Sequence, residues 1–347
     1  MNKQATFIEE PKSFISKKYL FISIGLSVFT MAAVIWYTYT PGVLTHLAPK
    51  RLPGLVIALV VSFLRVWFGA AKIRFLSERQ ITWMGAFRTI LVWDFTSAVT
   101  PSTIGGAPMA TYAMTREGLK LGESTAIVLY GVLLDQIWFA LAIPILLFAG
   151  IYYDVVPSDI GFIGEASMIL LYIGLLSYAA LLAYGVLINP AAIKKVINFI
   201  FRLPYLRRFQ GKIEEEAENL EEYAHQLRRR PFSFLIKAFV LSTMSWLCRV
   251  ALAPIVILSL LPAPEILSVL RSLAMNLAFL VVPTPGGSGG VEALFVLFQG
   301  PLIETTSFIG LAVFLWRIIS YYFSIAFGMF ATTWYINRTV VELTEDK

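Results

Sequence analysis

Long apolar stretches separated by short polar ones run through this chain of 347 residues. A stretch of about 20 predominantly apolar residues can cross the hydrocarbon core of a bilayer as a helix. Stretches that approach or exceed this length therefore predict full transmembrane spans. They are Tyr19–Tyr39, Leu55–Ile73, Ile127–Tyr153, Ala166–Ile188, Phe232–Leu261 and Phe308–Trp334.

The composition points to one integral membrane domain. Apolar residues make up 58% of the chain and charged residues 14%, whereas soluble domains have roughly 45–50% and about 25%. The polar stretch 189–231 is too short and too charged to form the core of a soluble enzyme. The expected order is an N-terminal tail, a first membrane half, a basic loop, a second membrane half and a C-terminal tail, at residues 1–18, 19–188, 189–231, 232–336 and 337–347.

Two segments interrupt the apolar stretches with one shared pattern: Thr-Pro, three residues, then Gly-Gly. They are Thr100–Gly106 and Thr284–Gly290, and the same spacing of 184 positions separates Arg65 from Arg249. The pattern predicts an internal repeat. Helix-breaking Pro and Gly at corresponding positions of two apolar halves are typical of transporters whose binding site lies between repeated, broken helices.

The distribution of Lys and Arg predicts which ends of the spans face the cytoplasm, because cytoplasmic loops are enriched in both residues. Lys17 and Lys18 precede the first span and Arg338 follows the last one. Both termini are therefore expected in the cytoplasm. The loop 189–231 is the most basic part of the chain, and it interleaves cations with apolar residues as an amphipathic helix at the membrane surface does.

With this orientation, the two broken segments enter the membrane from opposite faces. Residues 100–106 return to the cytoplasm, and residues 283–290 return to the outside. The predicted fold is an all-α membrane bundle with about six full spans, an inverted repeat and two re-entrant hairpins. Irregular backbone at membrane depth is tolerated only where it is buried in protein or lines a wet cavity, so the two breaks are expected to mark a site.

The two breaks offer groups that recognise a ligand rather than groups that break bonds. Glycine lets backbone N–H groups approach a ligand closely, and helix N-termini carry a partial positive charge that suits phosphate or carboxylate. The alternative is that each Gly-Gly pair only permits close helix packing. The candidate binding residues at the breaks are Thr100, Gly105, Gly106, Thr284, Gly286, Gly287, Ser288, Gly289 and Gly290.

Ionised residues inside the apolar stretches are further candidates, because such residues are rare in membranes and usually face a cavity or a partner. Arg65, Arg249 or Arg317 is expected to supply the counter-charge to an anion. Asp135 and Arg317 lie on related helices of the two halves, where we hypothesise that they pair. Glu292 is expected either to cap the broken helix, which we favour, or to accept a proton or a cationic headgroup. Structural ion pairs are the alternative reading of all these charges.

The second break and a late arginine carry a resemblance to a known family. Together with an upstream membrane-embedded Gly-Gly, they resemble the membrane region of lysylphosphatidylglycerol synthases and of their free-standing, flippase-like relatives. The resemblance implies an inner-membrane protein that moves an anionic, aminoacylated or polyprenyl-linked lipid between leaflets. It also implies a separately encoded partner enzyme that modifies the lipid. The residues concerned are Pro283-Thr284-Pro285-Gly286-Gly287-x-Gly-x-x-Glu292 and Leu315-Trp316-Arg317-Ile318.

Two departures from the family's pattern bear on this expectation. The soluble aminoacyl-transferase domain of the synthases does not occur in this sequence, so lipid aminoacylation itself is not expected. Many relatives also carry an acidic residue followed by Arg in the first motif, whereas here Gly105-Gly106 is followed by Ala107-Pro108-Met109. The identity of the headgroup therefore stays open.

Catalytic and cofactor chemistry has little support in the sequence. His46 and His225 lie in different loops, and the chain has no Cys/His cluster and no phosphate-binding loop that ends in Gly-Lys-Ser/Thr. We expect no metal, no cofactor and no nucleic-acid partner. Two alternatives to a lipid transporter stay open: an intramembrane lipid transferase that uses Asp94 and Asp135 as acid or base, and a small-anion carrier or channel.

Overall fold

Every regular element that the computed structural model describes is a helix. The described residues are 17–38, 51–100, 106–157, 161–189, 219, 221–227, 229–280, 282, 284 and 287–345. Residues 1–16 of the predicted tail 1–18 and most of the predicted amphipathic loop therefore lie outside them. The all-α prediction is confirmed over the described part of the chain. Its main helices are α1 (Lys17–Thr38), α2 (Pro53–Leu76), α3 (Trp83–Val99), α4 (Gly106–Arg116), α5 (Leu121–Ala149), α6 (Gly161–Ala183), α7 (Phe232–Leu260), α8 (Glu265–Phe279), α9 (Gly290–Gln299), α10 (Ser307–Arg317) and α11 (Phe323–Glu345).

Four helices of the described residues are long and apolar enough to cross a membrane. They confirm four of the predicted spans and, with them, a multi-pass membrane protein. The helices α1 and α6 lie at the other two predicted spans, and their described apolar portions, Val28–Thr38 and Ile169–Ala183, are shorter. The four long helices cover Pro53–Leu76, Leu121–Ala149, Phe232–Leu260 and Ser307–Tyr335.

Both predicted breaks fall between helices. The first lies between the end of α3 at Val99 and the start of α4 at Gly106. The second lies between the end of α8 at Phe279 and the start of α9 at Gly290. The interruptions expected from Pro and Gly are therefore present, and the re-entrant path of each helix pair stays a prediction.

The order of the helices repeats along the chain. A long helix (α2), a broken pair (α3 and α4) and a second long helix (α5) are followed by a long helix (α7), a broken pair (α8 and α9) and a further long stretch (α10 and α11). Both α4 and α9 begin at the second glycine of their Gly-Gly pair, Gly106 and Gly290. The chain thus contains two units of the same helix order, whose inversion in the membrane stays a prediction.

The two units meet along α2 and α7, which form the most extensive helix pairing of the described elements. Within the units, α3 packs on α4 and α8 packs on α9, while α11 crosses over to pack on α3. One apolar core lies mainly among α5, α7, α8, α9 and α10. A second core lies among α2, α3, α4 and α5. Ionised side chains of both units line a space between these cores.

One wide helical turn joins the last two helices. Ile318–Tyr322 forms a π-helical turn directly after Arg317. Such turns are frequent at functional sites. The Ile319 carbonyl accepts a hydrogen bond of 2.9 Å from Ser62 Oγ on α2. The turn of the second unit is therefore attached to a helix of the first.

A short helical segment of the predicted basic loop, residues 221–227, packs on the bundle. Tyr223 and Leu227 are buried in the core around α2 and α5, and the Tyr223 hydroxyl donates a hydrogen bond of 2.8 Å to Leu76 O. This part of the loop is thus anchored at the end of α2. The sequence did not predict this contact, because the charged residues of the segment conceal the apolar positions that make it.

Candidate functional site

An interior cavity of about 300 Å³ lies between the two units. Side chains of α2, α3, α5, α7, α8, α10 and α11 line it, together with the π-helical turn. The structure brings four of the sequence-predicted site residues into this one space. The ionised residues along its wall are Arg65, Lys72, Asp94, Asp135, Arg249 and Arg317.

Arg65 is the predicted cation of the first unit, and the structure shows it neutralised. Its Nη2 lies 2.6 Å from Asp94 Oδ2 on α3 and 2.9 Å from Ser324 Oγ on α11. The Arg65 side chain is 9% exposed. A buried cation is tolerated when it is paired and hydrogen-bonded. Arg65 therefore joins three helices and carries little charge that is left for a ligand.

Asp135 has a different partner from the one hypothesised. Its Oδ1 lies 2.8 Å from Lys72 Nζ and also accepts a hydrogen bond from Ser242 Oγ. The hypothesis that Asp135 pairs with Arg317 is therefore wrong, although both residues line the cavity. Lys72 was not among the predicted site residues. Lys72 lies seven residues after Arg65, which places both on one face of α2. This spacing could have identified Lys72 from the sequence.

Glu292 and Arg317 form the most deeply buried ion pair of the site. Arg317 Nε lies 2.8 Å from Glu292 Oε1, with side-chain exposures of 4% and 0%. The other carboxylate oxygen of Glu292 accepts a hydrogen bond of 2.8 Å from the Gly289 N–H at the start of α9. The capping role favoured for Glu292 is confirmed, and the same carboxylate holds the arginine of α10.

Arg249 occupies the position in the second unit that Arg65 occupies in the first, yet its surroundings differ. Its Nε donates to the neutral amide oxygen Asn276 Oδ1 at 3.2 Å, and no carboxylate of the described residues lies in ion-pair range. The guanidinium lies 5.4 Å from the ring centres of Trp246 and Phe279. Aromatic faces stabilise a cation without neutralising it. Among the described residues, the cavity therefore retains one arginine that no carboxylate neutralises.

Asn276 and Trp246 were not predicted as site residues. Both line the cavity and contact Arg249. In the sequence, an Asn or a Trp in an apolar helix cannot be distinguished from a residue that only packs. Their contact with Arg249 in the structure identifies both as site residues.

The described glycines of the two motifs lie at helix contacts. A Cβ on Gly106 would come within 2.6 Å of Trp93 Cδ1, and one on Gly290 would come within 2.6 Å of Val282 Cγ1. Gly287 and Gly289 have φ of 69° and 84°, which side chains rarely allow. These four glycines are needed for close packing and tight turning, and ligand binding by their N–H groups stays a prediction.

The remaining motif residues have local contacts or lie outside the described residues. Thr100 Oγ1 donates to Thr96 O at 2.7 Å and closes the last turn of α3. Thr284 Oγ1 is buried without a hydrogen-bond partner among the described residues. The predicted binding residues Gly105 and Gly286 lie outside the described part of the chain.

Tyr321 of the π-helical turn connects the neighbourhoods of the two breaks. Its hydroxyl lies 3.4 Å from Ser288 Oγ, beside the second break, and 3.4 Å from Ala98 O, near the end of α3. The first and second broken helices therefore approach each other across one tyrosine that also lines the cavity. This contact could not be read from the spacing of the motifs, because it depends on the helix that carries Tyr321.

The carboxylates that an intramembrane transferase would use are both held by cations. Asp94 is paired with Arg65, and Asp135 is paired with Lys72. Both carboxylates therefore have a structural partner already. Within the described residues, no group of three or more His, Cys, Asp and Glu side chains could hold a metal ion.

Comparison with known proteins agrees with the membrane architecture and with the motif around the second break. Residues 20–328 match the family model described as the lysylphosphatidylglycerol synthase TM region. The chain is also similar to a UPF0104 membrane protein of Archaeoglobus fulgidus, with 25% identity over 335 residues that cover 91% of this chain and 97% of the relative. Because the family model covers most of the chain, the protein belongs to the lysylphosphatidylglycerol synthase transmembrane-region family.

Proposed function

We propose that this protein is a flippase-like transporter that moves a lipid with an anionic headgroup between the leaflets of the cytoplasmic (inner) membrane. Arg249 carries the proposal. This cation lines an interior cavity of an apolar bundle and has no carboxylate partner among the described residues. Ionised residues at membrane depth are costly and usually mark a substrate path. An anionic headgroup in the cavity would supply the missing negative charge.

The cavity also offers a reason why a lipid would use this protein to change leaflets. A headgroup that enters hydrocarbon loses its hydration, and this costs several kcal/mol for a charged group. Arginine and hydroxyl groups inside the bundle replace part of that hydration. The acyl chains meanwhile stay in apolar surroundings. Exchange of water for fixed polar groups would lower the barrier to movement between leaflets.

The two units of equal helix order fit the architecture of known transporters. In that architecture, broken helices of inverted repeats meet near the middle of the membrane, and one repeat rocks against the other. We propose that α3–α4 enters from the cytoplasm, that α8–α9 enters from the outside, and that both termini are cytoplasmic. Tyr321, which lies near both breaks, would be the contact about which the units move.

We propose further that the protein is not itself an enzyme and acts beside a separate lipid-modifying enzyme. The pairing of Asp94 and Asp135 with cations supports this view, since both carboxylates are engaged in ion pairs that join helices. A carrier of small anions is the second candidate. It would use the same uncompensated Arg249, and the distinction lies in whether acyl chains accompany the anion.

Movement of a labelled lipid in vesicles tests the proposal. The purified protein is reconstituted into phosphatidylcholine vesicles that contain a trace of phosphatidylglycerol with a fluorophore on one acyl chain. Dithionite destroys the fluorophores of the outer leaflet only. Vesicles with protein are expected to lose nearly all fluorescence, and protein-free vesicles about half. The variant Arg249→Glu should behave like protein-free vesicles, whereas Lys237→Glu, exposed on the same helix, should behave like the unaltered protein.

Three other results would contradict lipid transport. If vesicles with and without protein retain the same fraction of fluorescence after dithionite, the protein moves no lipid. Release of trapped, radiolabelled inorganic phosphate without lipid movement would favour the small-anion carrier. A chemically altered lipid, detected by mass spectrometry and lost in Asp135→Asn, would favour the transferase.

A further inference from the structure

We infer that this cavity selects headgroups with one net negative charge, namely phosphodiester monoanions, over cationic aminoacylated headgroups and over diphosphates. The inference rests on the proposed function and names the substrate class of the same site. It follows from the balance of charges in the cavity, from arginine N–H donors that no described residue uses, and from the volume of the cavity.

The described residues of the site include more cations than carboxylates. Four cations belong to the site, Arg65, Lys72, Arg249 and Arg317, against three carboxylates, Asp94, Asp135 and Glu292. Each carboxylate neutralises one cation, which leaves a single positive charge among the residues that the structure describes. The residues of the two breaks that lie outside the described part carry no charge in the sequence. Since an unbalanced charge is costly at membrane depth, the stable complex contains one negative charge from the ligand.

The excess positive charge lies on Arg249. Arg65 and Arg249 are related by the repeat, but a carboxylate faces the first and an amide faces the second. The charge therefore belongs to the second unit. Only the Nε of Arg249 is used by a described residue, so Nη1 and Nη2 can bind two oxygens of one phosphate side by side.

Arg317 supplies a further donor on the cavity wall. Nη2 of Arg317 is buried and has no hydrogen-bond partner among the described residues, although its Nε is paired with Glu292. Arg317 is 97% buried, at a relative exposure of 3%. A buried donor without a partner is costly and is satisfied when a ligand oxygen reaches it. Both free donors are cationic, so they suit phosphate oxygens and repel an ammonium group.

The volume of the cavity also bears on which headgroups fit. The cavity of about 300 Å³ is at the lower end of the range of roughly 300–1,000 Å³ seen for small-molecule pockets. It suits a compact phosphodiester headgroup. The lysyl group of an aminoacylated headgroup needs more room and brings a cation beside Arg249, whereas a diphosphate brings excess negative charge.

A panel of fluorescent lipids in the same vesicles tests the inference. The probes at neutral pH are acyl-labelled phosphatidylglycerol, acyl-labelled lysyl-phosphatidylglycerol and a fluorescent polyprenyl diphosphate. Phosphatidylglycerol is expected to move at least about tenfold faster than the other two, since one or two charge-assisted hydrogen bonds distinguish them. This comparison uses the unaltered protein, so it holds even where a variant fails to fold.

Charge variants then assign the selectivity to the cavity. Arg249→Gln removes the excess charge, and the movement of phosphatidylglycerol should fall at least about tenfold, while Arg249→Lys should retain the preference for the monoanion. Asp94→Asn raises the excess to two, and the relative rate of the diphosphate should rise. Lys237→Gln, which removes an exposed charge from the same helix, should leave the order of the three lipids unchanged.

The failures of the two proposals are distinguishable. Movement of lysyl-phosphatidylglycerol or of the diphosphate as fast as phosphatidylglycerol would overturn the selectivity and leave lipid transport standing. Movement of none of the three lipids would overturn lipid transport and the selectivity with it.

Discussion

At the scale of single residues, the site consists of buried charges whose partners decide their roles. Arg65, Lys72 and Arg317 each have a carboxylate, whereas Arg249 has an amide and two aromatic faces. Removal of one member of a buried pair leaves an uncompensated charge, which costs about 3–5 kcal/mol. Arg65 and Lys72 are therefore expected to maintain the structure, and Arg249 to serve the ligand. Arg317 does both, because its Nε is paired with Glu292 and its Nη2 has no partner among the described residues.

The pair of Glu292 and Arg317 provides the test at this scale. Glu292→Gln and Arg317→Gln are each expected to lower stability by about 3–5 kcal/mol, because each leaves a buried charge alone. The double variant should lose clearly less than the sum of the two. Unfolding in detergent micelles, followed by the loss of helical signal, measures all three.

Glu78 and Arg230 form the matched control pair. Their side chains are 35% and 41% exposed, so solvent screens the interaction. Neutralisation of either is expected to cost no more than about 1 kcal/mol. If the losses in the buried pair were simply additive, or no larger than those in the exposed pair, the structural role of Glu292 would be wrong.

At the scale of elements, the broken helices depend on glycines that leave room for their neighbours. Gly106 starts α4 against Trp93 of α3, and Gly290 starts α9 against Val282. A methyl group at either position overlaps a side chain that must shift. Overpacking of this kind costs typically about 1–3 kcal/mol. Gly106 and Gly290 therefore allow close packing at the starts of α4 and α9.

Alanine at these glycines is expected to lower the unfolding temperature in detergent. Gly106→Ala and Gly290→Ala should each destabilise by about 1–3 kcal/mol through the overlap. Gly174→Ala in α6 is the control, because no atom lies within 4 Å of the added methyl group, and it should be neutral or stabilising by about 0.5–1 kcal/mol. A stable Gly106→Ala that nevertheless moves no lipid would instead favour ligand binding by the glycine N–H groups.

At the scale of the whole molecule, the equal helix order of the two units raises the question of their orientation. The positive-inside rule places α3–α4 and α8–α9 on opposite faces. Lys120 follows the first broken pair and Glu304 follows the second, and both side chains are exposed. These two positions therefore report the face to which each hairpin returns.

Cysteine labelling measures this orientation. Cys248, the single cysteine of the chain, is first replaced by Ser. In intact cells, a membrane-impermeant maleimide should label Glu304→Cys, and it should label Lys120→Cys only after the membrane is opened. Labelling of both positions from the same face would mean that the two units run in parallel, and the inverted repeat would have to be abandoned.

Much of the fold was predictable because it depends on local properties of the chain. Apolar length predicted the four long helices, and Pro and Gly predicted where α3 and α8 end. The capping role of Glu292 was also predictable, since a carboxylate two residues after Gly290 lies in the first turn of a helix. The pairing of Asp135 was not, because its partner depends on which face of α2 meets α5.

The sequence by itself determined that this is an all-helical, multi-pass membrane protein with two interrupted helices and related arginines at Arg65 and Arg249. Those properties follow from hydropathy, from backbone restrictions and from spacing, and all three act within a short stretch of chain. Only the tertiary structure decided that Asp94 neutralises the first arginine and that Asn276 leaves the second one charged. The reason is physical. The charge that remains at a site is a sum over side chains brought together by packing, and no single segment contains that sum.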